Sequence, residues 1–434
     1  MEEYFLWEKG QKIHFRLPKT WRVLSNVVLE SENIERTIYQ MVSESIVNPI
    51  GTLPLKEIIK PSDKVVIIVD DFARPTPKKE ILTCLIDHLV EFGIGHDQID
   101  VLFGIGTHRP LSETEVEEAL GRELIQKIRY TNHDCWSDKL VSVGRLKTGG
   151  EIKINPLLIQ ADFRIGIGSI LPHPMSGFGG GPKIAMPGVC NFEAIREHHI
   201  AHMIAKGASI GNIKNNPFYE EICEAARLSK LDFIINAVYN SEEKVKEIVS
   251  GHFEKAHQVG VNMSLREYGV DIDEDADITI VSAFPLDEGA QVLKPLGPAT
   301  MVTKKGGTVV LAASVRGGKF PDMLLHAFDF AFEISKGDPK RLVLEYLRDS
   351  KPIVENAPMD VNGALNLTLL YLSRVNVILV SNLNEEQVVR LGFRYADSLD
   401  NAIRELYRAV PQAKVNILPA GGVIVPMKRD MSFN

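Results

Sequence analysis

Short runs of consecutive apolar residues, many of them β-branched, recur through the first half of the chain and end in turn-forming residues. Lys64–Asp70 (KVVIIVD), Asp100–Gly104 (DVLFG), Phe163–Gly168 (FRIGIG) and Phe233–Val238 (FIINAV) are the plainest. Continuous rather than alternating apolar character belongs to strands covered on both faces, as in a largely parallel sheet. Between them the spacing predicts helices over Lys78–Phe92 and Glu220–Leu228. Strands alternating with helices imply a layered α/β domain. The acidic stretch Gly269–Asp277 reads as a connector, and a second series follows it. Its strands are predicted at Ile278–Ala283, Thr308–Ala313 and Val375–Val380, its helices at Asp322–Ser335 and Pro339–Asp349.

At 434 residues the chain is too long for one ordinary core. The pattern predicts two α/β domains with largely parallel sheets and an interdomain active-site crevice. The first spans residues 1–270, with 410–434 returning to it through the strand-like runs Val415–Leu418 and Gly422–Pro426. The second spans 271–409 and contributes substrate-binding residues.

Composition narrows the function classes. A net charge of −8 argues against nucleic-acid binding, which calls for a basic face. No apolar run approaches the roughly 18 residues of a membrane span, and the acidic start MEEYFLWEKG has no signal-like core. The four cysteines, Cys84, Cys135, Cys190 and Cys223, are scattered with no C-x-x-C. They read as reduced thiols, which places the expectation in the cytoplasm.

Chemistry concentrates in the run His173–Cys190, HPMSGFGGGPKIAMPGVC. Gly177, Gly179, Gly180 and Gly181 allow a backbone curl that offers N–H groups to an anion. Lys183 closes the loop as a charge, a base or a point of covalent attachment. The loop is neither G-x-x-x-x-G-K-[ST] nor a helix-opening G-x-G-x-x-G, which disfavours a P-loop or dinucleotide site. A local echo links it to an earlier segment: FGIGTHRP (Phe103–Pro110) and IGIGSILPHP (Ile165–Pro174) both read as a strand ending, a hydroxyl residue and then a histidine. Taken singly, each histidine reads better as a surface residue on a glycine-rich turn than as a site residue; the paired context reverses that preference. Together, His108 and His173 are predicted to enter one crevice at the carboxyl ends of two strands. In DDFARPTP (Asp70–Pro77), Asp71 and Arg74 sit on a proline-stiffened strand exit, where Arg74 suits a carboxylate or phosphate. REHHIAHM (Arg196–Met203) puts His198 and His202 at metal-ligand spacing and turns His199 elsewhere, without an H-E-x-x-H signature. In EGAQVLK (Glu288–Lys294), Gln291 and Lys294 share an i, i+3 face suited to a carboxylate or carbonyl.

Together these segments resemble the nickel-dependent lactate racemase family, which includes other 2-hydroxyacid racemases and epimerases. The matching pieces are D-D-x-x-R-P, G-T-H-R, H-P-x-x-G-F-G-G-G-x-K with P-G, R-E-H-H and Q-x-x-K, in family order over residues 70–294. The resemblance implies a nickel-pincer nucleotide (pyridinium-3,5-bisthiocarboxylic acid mononucleotide nickel) attached covalently to Lys183, with His199 as the protein's nickel ligand. It implies the cofactor's phosphate on the glycine loop and assistance from Ser176. It further implies His108 and His173 as the two acid/base groups, Asp71 orienting one of them, and Arg74, Gln291 and Lys294 on the substrate. The implied reaction moves the α-hydrogen of a small 2-hydroxyacid as a hydride and its hydroxyl proton to a base. Cofactor-biosynthesis enzymes are the implied protein partners, and a homo-oligomer is compatible with the resemblance. Two departures stand out: Ala290 replaces the aromatic residue that precedes Gln in lactate-specific members, and no tryptophan follows Trp136. Both enlarge the pocket and predict a substrate larger than lactate. The alternatives are lactate racemase proper, a hydrolase or lyase with a metal on His198 and His202, and a non-catalytic nucleotide sensor.

Overall fold

The computed structural model describes residues 2–29, 34–72, 74–355 and 357–427. It divides the chain into two compact units. One is Ser31–Glu267; the other joins Met1–Glu30 to Tyr268–Asn434. Each is an α/β layer structure around a six-stranded sheet, as the sequence pattern predicts.

In the Ser31–Glu267 unit the strands lie in the spatial order Val245–Gly251, Phe233–Tyr239, Phe163–Ile170, Val65–Val69, Ile99–Phe103, Arg129–Asn132. All neighbours are parallel except the outer pair Phe233–Tyr239 and Val245–Gly251. Every residue of Val65–Val69, Phe163–Ile170 and Phe233–Tyr239 is buried, which explains their unbroken apolar runs. From Val65–Val69 the next two strands step outward on one side, and Phe163–Ile170 then docks on the other. That reversal makes the carboxyl ends of Val65–Val69 and Phe163–Ile170 a topological switch point, the place where open α/β sheets bind ligands.

The other unit has the all-parallel order Arg394–Ala396, Asn376–Ser381, Thr303–Ala313, Ala276–Ser282, Lys414–Leu418, Arg22–Asn26. Here the domain expectation is corrected twice. The tail does not return to the first domain: Lys414–Leu418 inserts beside Ala276–Ser282 in the second sheet, and Val425–Met427 pairs with Gly269–Asp271. Residues 428–434 lie outside the described residues. The amino terminus also belongs to this unit, not to the 1–270 domain. Leu6, Phe15, Leu17 and Trp21 pack into its core with Ile278, Val415 and Leu406, and the Trp21 indole donates to the Val410 carbonyl at 2.9 Å. These apolar side chains needed a hydrophobic layer, and sequence distance does not say which layer is nearest in space. The four cysteines are buried and free. Among the described residues no helix is long and apolar enough to cross a membrane.

Candidate active site

The turn that leaves Val65–Val69 is held by a buried polar chain that crosses three strands. Lys78 Nζ lies 3.0 Å from Asp70 Oδ1, and Thr76 Oγ1 donates to Asp70 Oδ2 at 2.5 Å. Thr76 Oγ1 is also 2.5 Å from Ser169 Oγ, which is 2.9 Å from the Tyr239 hydroxyl; that hydroxyl donates to the Pro75 carbonyl at 3.0 Å. Burial pushes the Asp70 carboxyl upward, and Lys78 pulls it back. Lys78 also donates to the Arg74 carbonyl at 3.2 Å. The prolines stiffen the turn locally, and this network fixes it to the sheet. The sequence showed the stiffening but not the network, whose members are ordinary hydroxyls scattered over 170 residues.

On this turn Asp71 is buried, and its Oδ2 makes a short hydrogen bond to His108 Nδ1. Asp71 follows one strand and His108 the next, so the parallel pairing of Val65–Val69 with Ile99–Phe103 brings them together. An imidazole that donates Nδ1–H to a carboxylate presents its Nε2 lone pair, the arrangement of an oriented general base. Phe72 lies beside the ring of His108, with the Arg109 guanidinium 4.1 Å from the Phe72 centroid. Arg74 is half-buried, and among the described residues its guanidinium makes no hydrogen bond.

His173 follows Phe163–Ile170, the strand on the other side of the switch point from Ile99–Phe103. Its Nδ1 accepts from the backbone N–H of Met175 (3.3 Å) and of Ser176 (3.2 Å), and its Nε2 is 2.8 Å from Lys183 Nζ. Two N–H groups of the glycine loop between them are directed to acceptors within the protein. The Gly179 N–H donates to the Leu171 carbonyl at 2.8 Å, and the Gly181 N–H to Asn236 Oδ1 at 2.6 Å. At Gly177 φ is +80° and an added Cβ would fall 2.3 Å from the Asn212 carbonyl oxygen; at Gly181 φ is +55° and it would fall 2.4 Å from the His257 ring. These glycines allow close approach inside the protein. Gly180 has φ +72° with the Ser169 carbonyl 2.8 Å from its Cβ position. The fully buried Ser176 hydroxyl donates to the Phe178 carbonyl at 2.8 Å. His257, which the sequence reading passed over, braces the loop from below. Its Nε2 meets the Gly179 carbonyl and its Nδ1 the Tyr219 hydroxyl, each at 2.9 Å. Burial lowers its pKa to about 4.

The helix Phe192–His202 carries the three clustered histidines. His199 Nδ1 is 2.8 Å from the Ile195 carbonyl and must donate to it, which leaves Nε2 with a free lone pair. Burial lowers its pKa to about 3, so the ring is neutral. A buried, neutral imidazole of fixed tautomer is the chemistry a transition-metal ligand requires, and the backbone carbonyl is the usual outer partner of such a ligand. His198 and His202 do share a face, as their spacing predicts. They form a cluster with Glu221, a residue the sequence reading did not single out. His202 Nε2 is 3.0 Å from Glu221 Oε2, His198 Nε2 is 2.9 Å from the Phe218 carbonyl, and Glu221 also accepts from the Thr148 N–H (2.7 Å) and hydroxyl (3.1 Å). Each of these groups has protein partners. Glu221 arrives on Pro217–Leu228, whose first turn is capped by the buried side chain of Asn216.

Gln291 and Lys294 belong to the other unit, on and just beyond the short helical segment Gly289–Leu293. Gln291 Oε1 is buried and has no hydrogen-bond partner among the described residues. An orphaned buried amide oxygen is costly unless a ligand's donor completes it.

Asp71, His108 and His173 of the Ser31–Glu267 unit thus follow neighbouring strands at the carboxyl edge and switch point of a largely parallel sheet, the place where α/β enzymes bind their ligands. A family profile described as the lactate racemase N-terminal domain matches residues 9–211. The lactate racemase of Lactiplantibacillus plantarum is 30% identical over 394 residues, covering 89% of this chain and 90% of that protein. The lactate racemase of Thermoanaerobacterium thermosaccharolyticum is 28% identical over 391 residues, covering 89% of each. The solved apoprotein structure of a lactate racemase from T. thermosaccharolyticum superposes with a TM-score of 0.87 at 26% identity, over 99% of this chain and 100% of that one. A Thermotoga maritima protein shares the fold at TM-score 0.65 and 21% identity, over 93% of this chain and 100% of that one. The chain belongs to the lactate racemase family, and it is an isomerase of the racemase and epimerase class.

Proposed function

We propose that the chain racemises or epimerises a 2-hydroxycarboxylic acid, with a nickel-pincer nucleotide attached through Lys183 and its nickel ligated by His199 Nε2. The observation that supports this best is the pairing of a half-buried lysine amine, 2.8 Å from His173 Nε2, with a nearby neutral imidazole whose tautomer is already fixed. One imidazole joined to soft sulfur donors would suit nickel. When bound, the nucleotide would supply a two-electron acceptor for the α-hydrogen and its electron pair.

The protein's residues do the rest. His108, held by Asp71, takes the hydroxyl proton of one enantiomer at Nε2. Buried Asp71 stabilises the imidazolium that forms. His173 faces the other enantiomer's hydroxyl. In its present tautomer Nε2 carries the proton and donates a hydrogen bond; it becomes a base only once the N–H groups of Met175 and Ser176 release Nδ1. Arg74 takes the substrate carboxylate. Gln291 and Lys294 are assigned to substrate binding, and Ser176 with the glycine loop to shaping the nucleotide's seat.

Ala290 and the absence of any tryptophan after Trp136 support a substrate larger than lactate. The test is direct. Enzyme loaded with cofactor should gain mass on Lys183 and retain equimolar nickel, and Lys183→Ala should lose both while keeping its melting temperature. An adduct on another residue, or zinc without an adduct, sinks the reading.

A further inference from the structure

The hydrogen bonds around His173 specify the state of Lys183 before any cofactor arrives. A neutral imidazole has one N–H and one lone pair. The N–H groups of Met175 and Ser176 both point at Nδ1, so Nδ1 holds the lone pair and Nε2 the proton. That Nε2–H lies 2.8 Å from Lys183 Nζ. An ammonium has three donors and no acceptor, so the contact requires the amine form of lysine. We propose that His173 holds Lys183 in the unloaded protein as a neutral amine, ready to attack an acyl or thioacyl carbon. Attachment of the cofactor then releases His173 Nε2 to the substrate. The proposal rests on the reading of Lys183 as the attachment point and adds a positioning role for His173 before catalysis begins.

The chemistry balances without an oxidant or reductant. The amine lone pair adds to a thiocarboxyl carbon and the N–C bond forms. One N–H proton and the thioacid's own proton leave with the displaced oxygen as water, which yields a thioamide. The resulting nitrogen is conjugated and no longer accepts a hydrogen bond, so the Nε2–H of His173 loses its partner and turns to the next acceptor, a substrate oxygen. One nitrogen of His173 thus serves the attachment and then the reaction.

Lys183 lies on Gly181–Ile184, which packs against Phe163–Ile170, Pro217–Leu228 and Phe233–Tyr239. The charged and titratable side chains of those elements have partners of their own: Arg164 with Asp232, Tyr219 with His257, Glu221 with His202 and Thr148, Arg227 with Glu224 and Glu254, and Tyr239 with Ser169. Glu220 is exposed and Cys223 is buried as a thiol. His199 lies close enough for it and Lys183 to influence each other's charge.

The test uses the full chain without cofactor and a trace of the N-hydroxysuccinimide ester of acetic acid. A lysine amine attacks the acetyl carbon, the C–O bond to N-hydroxysuccinimide breaks, and that leaving group departs with the amine proton. Acetylation of each lysine is followed by peptide mass spectrometry from pH 7 to 9. An ordinary lysine is roughly one part in 2,000 neutral at pH 7, and its rate rises about tenfold per pH unit. The exposed Lys79 and Lys214 should follow that rise, about a hundredfold over the range. Lys183 should change by less than about threefold, and in His173→Gln it should regain the steep dependence. A Lys183 rate that tracks Lys79 in the wild-type chain overturns the proposal, as does a flat profile that survives His173→Gln, or a Lys183 that is never acetylated while folded. Should His173→Gln fail to fold, the nitrogen spectrum of the wild-type imidazole decides: Nε2–H supports the proposal, and Nδ1–H or an imidazolium refutes it. Because the probe is generic, a missing cofactor adduct in loaded enzyme would refute the proposed function without touching this result.

Discussion

Acid should weaken the glycine loop of the candidate site through one residue, His257. It is fully buried, and it joins the glycine loop to Tyr219 through both ring nitrogens. Neutral, it donates Nε2–H to the Gly179 carbonyl and accepts the Tyr219 hydroxyl proton at Nδ1. A second proton would bury a charge and place Nδ1–H against the Tyr219 donor. Its folded pKa is about 4 against 6.5 for an ordinary histidine. The unfolded chain therefore binds the extra proton first as pH falls, so the stability His257 contributes is complete above pH 6.5 and drains away between there and pH 4. At pH 5 the deficit is about 1.5 units, or about 2 kcal/mol at 1.36 kcal/mol per unit. Other buried histidines add to the total slope, so a difference isolates the effect. His257→Gln keeps a donor for Gly179 and removes the titration. Urea unfolding at pH 7.5, 6, 5 and 4.5, read by hydrogen exchange in peptides covering Gly177–Lys183, should show the wild type losing about 2 kcal/mol more than the variant between pH 7.5 and 5. Equal losses in the two proteins would refute the reasoning, because the buried imidazole would then not be the group that takes up the proton.

Three further outcomes follow from the same geometry. Asp71→Asn should lower kcat by about two to four orders of magnitude with little change in KM, because the amide cannot hold His108 in the base tautomer or stabilise its cation; a polarimetric racemisation assay reads it, and a change confined to KM would contradict the role. Gly181→Ala forces φ of +55° on alanine and pushes its methyl into the His257 ring, at a cost of about 1–2 kcal/mol for the backbone plus about 1–3 for the crowding, seen as a lower melting temperature. A 2-hydroxyacid with a larger side chain should exceed lactate in kcat/KM, by about 10–200-fold per methylene-sized gap filled; a preference for lactate over every larger acid tested would show that another group refills the space left at Ala290.

Much of the architecture follows from local pattern. Val65–Val69 and Phe163–Ile170 announce themselves as buried strands because residues covered on both sheet faces have no polar face to alternate with. Asp322–Ser335 is a helix over the predicted span because its apolar spacing repeats on one face. The attribution of Arg22–Asn26 and of Lys414–Leu418 to one sheet was not legible. An edge or inserted strand pairs by backbone hydrogen bonds, which carry no signature of their partner in the sequence.

The candidate site divides in the same way. His108, His173, Lys183 and His199 are visible because their residue types are rare and their neighbours distinctive, and the strand–turn echo places both strand-end histidines at one sheet edge. What each does depends on which nitrogen faces which atom. Asp71 on His108, the two backbone N–H groups on His173, and Ile195 on His199 set three tautomers that no spacing encodes. The glycines illustrate the limit most clearly. The sequence by itself determined that the chain curls tightly between Gly177 and Gly181. Only the tertiary structure decided why, by pressing the Asn212 backbone and the His257 ring into the space that side chains would have filled and by turning the Gly179 and Gly181 N–H groups into the protein. Local sequence states which conformations a backbone can adopt; the atoms that meet it arrive from positions up to about eighty residues away, and their arrival depends on packing that local pattern does not describe.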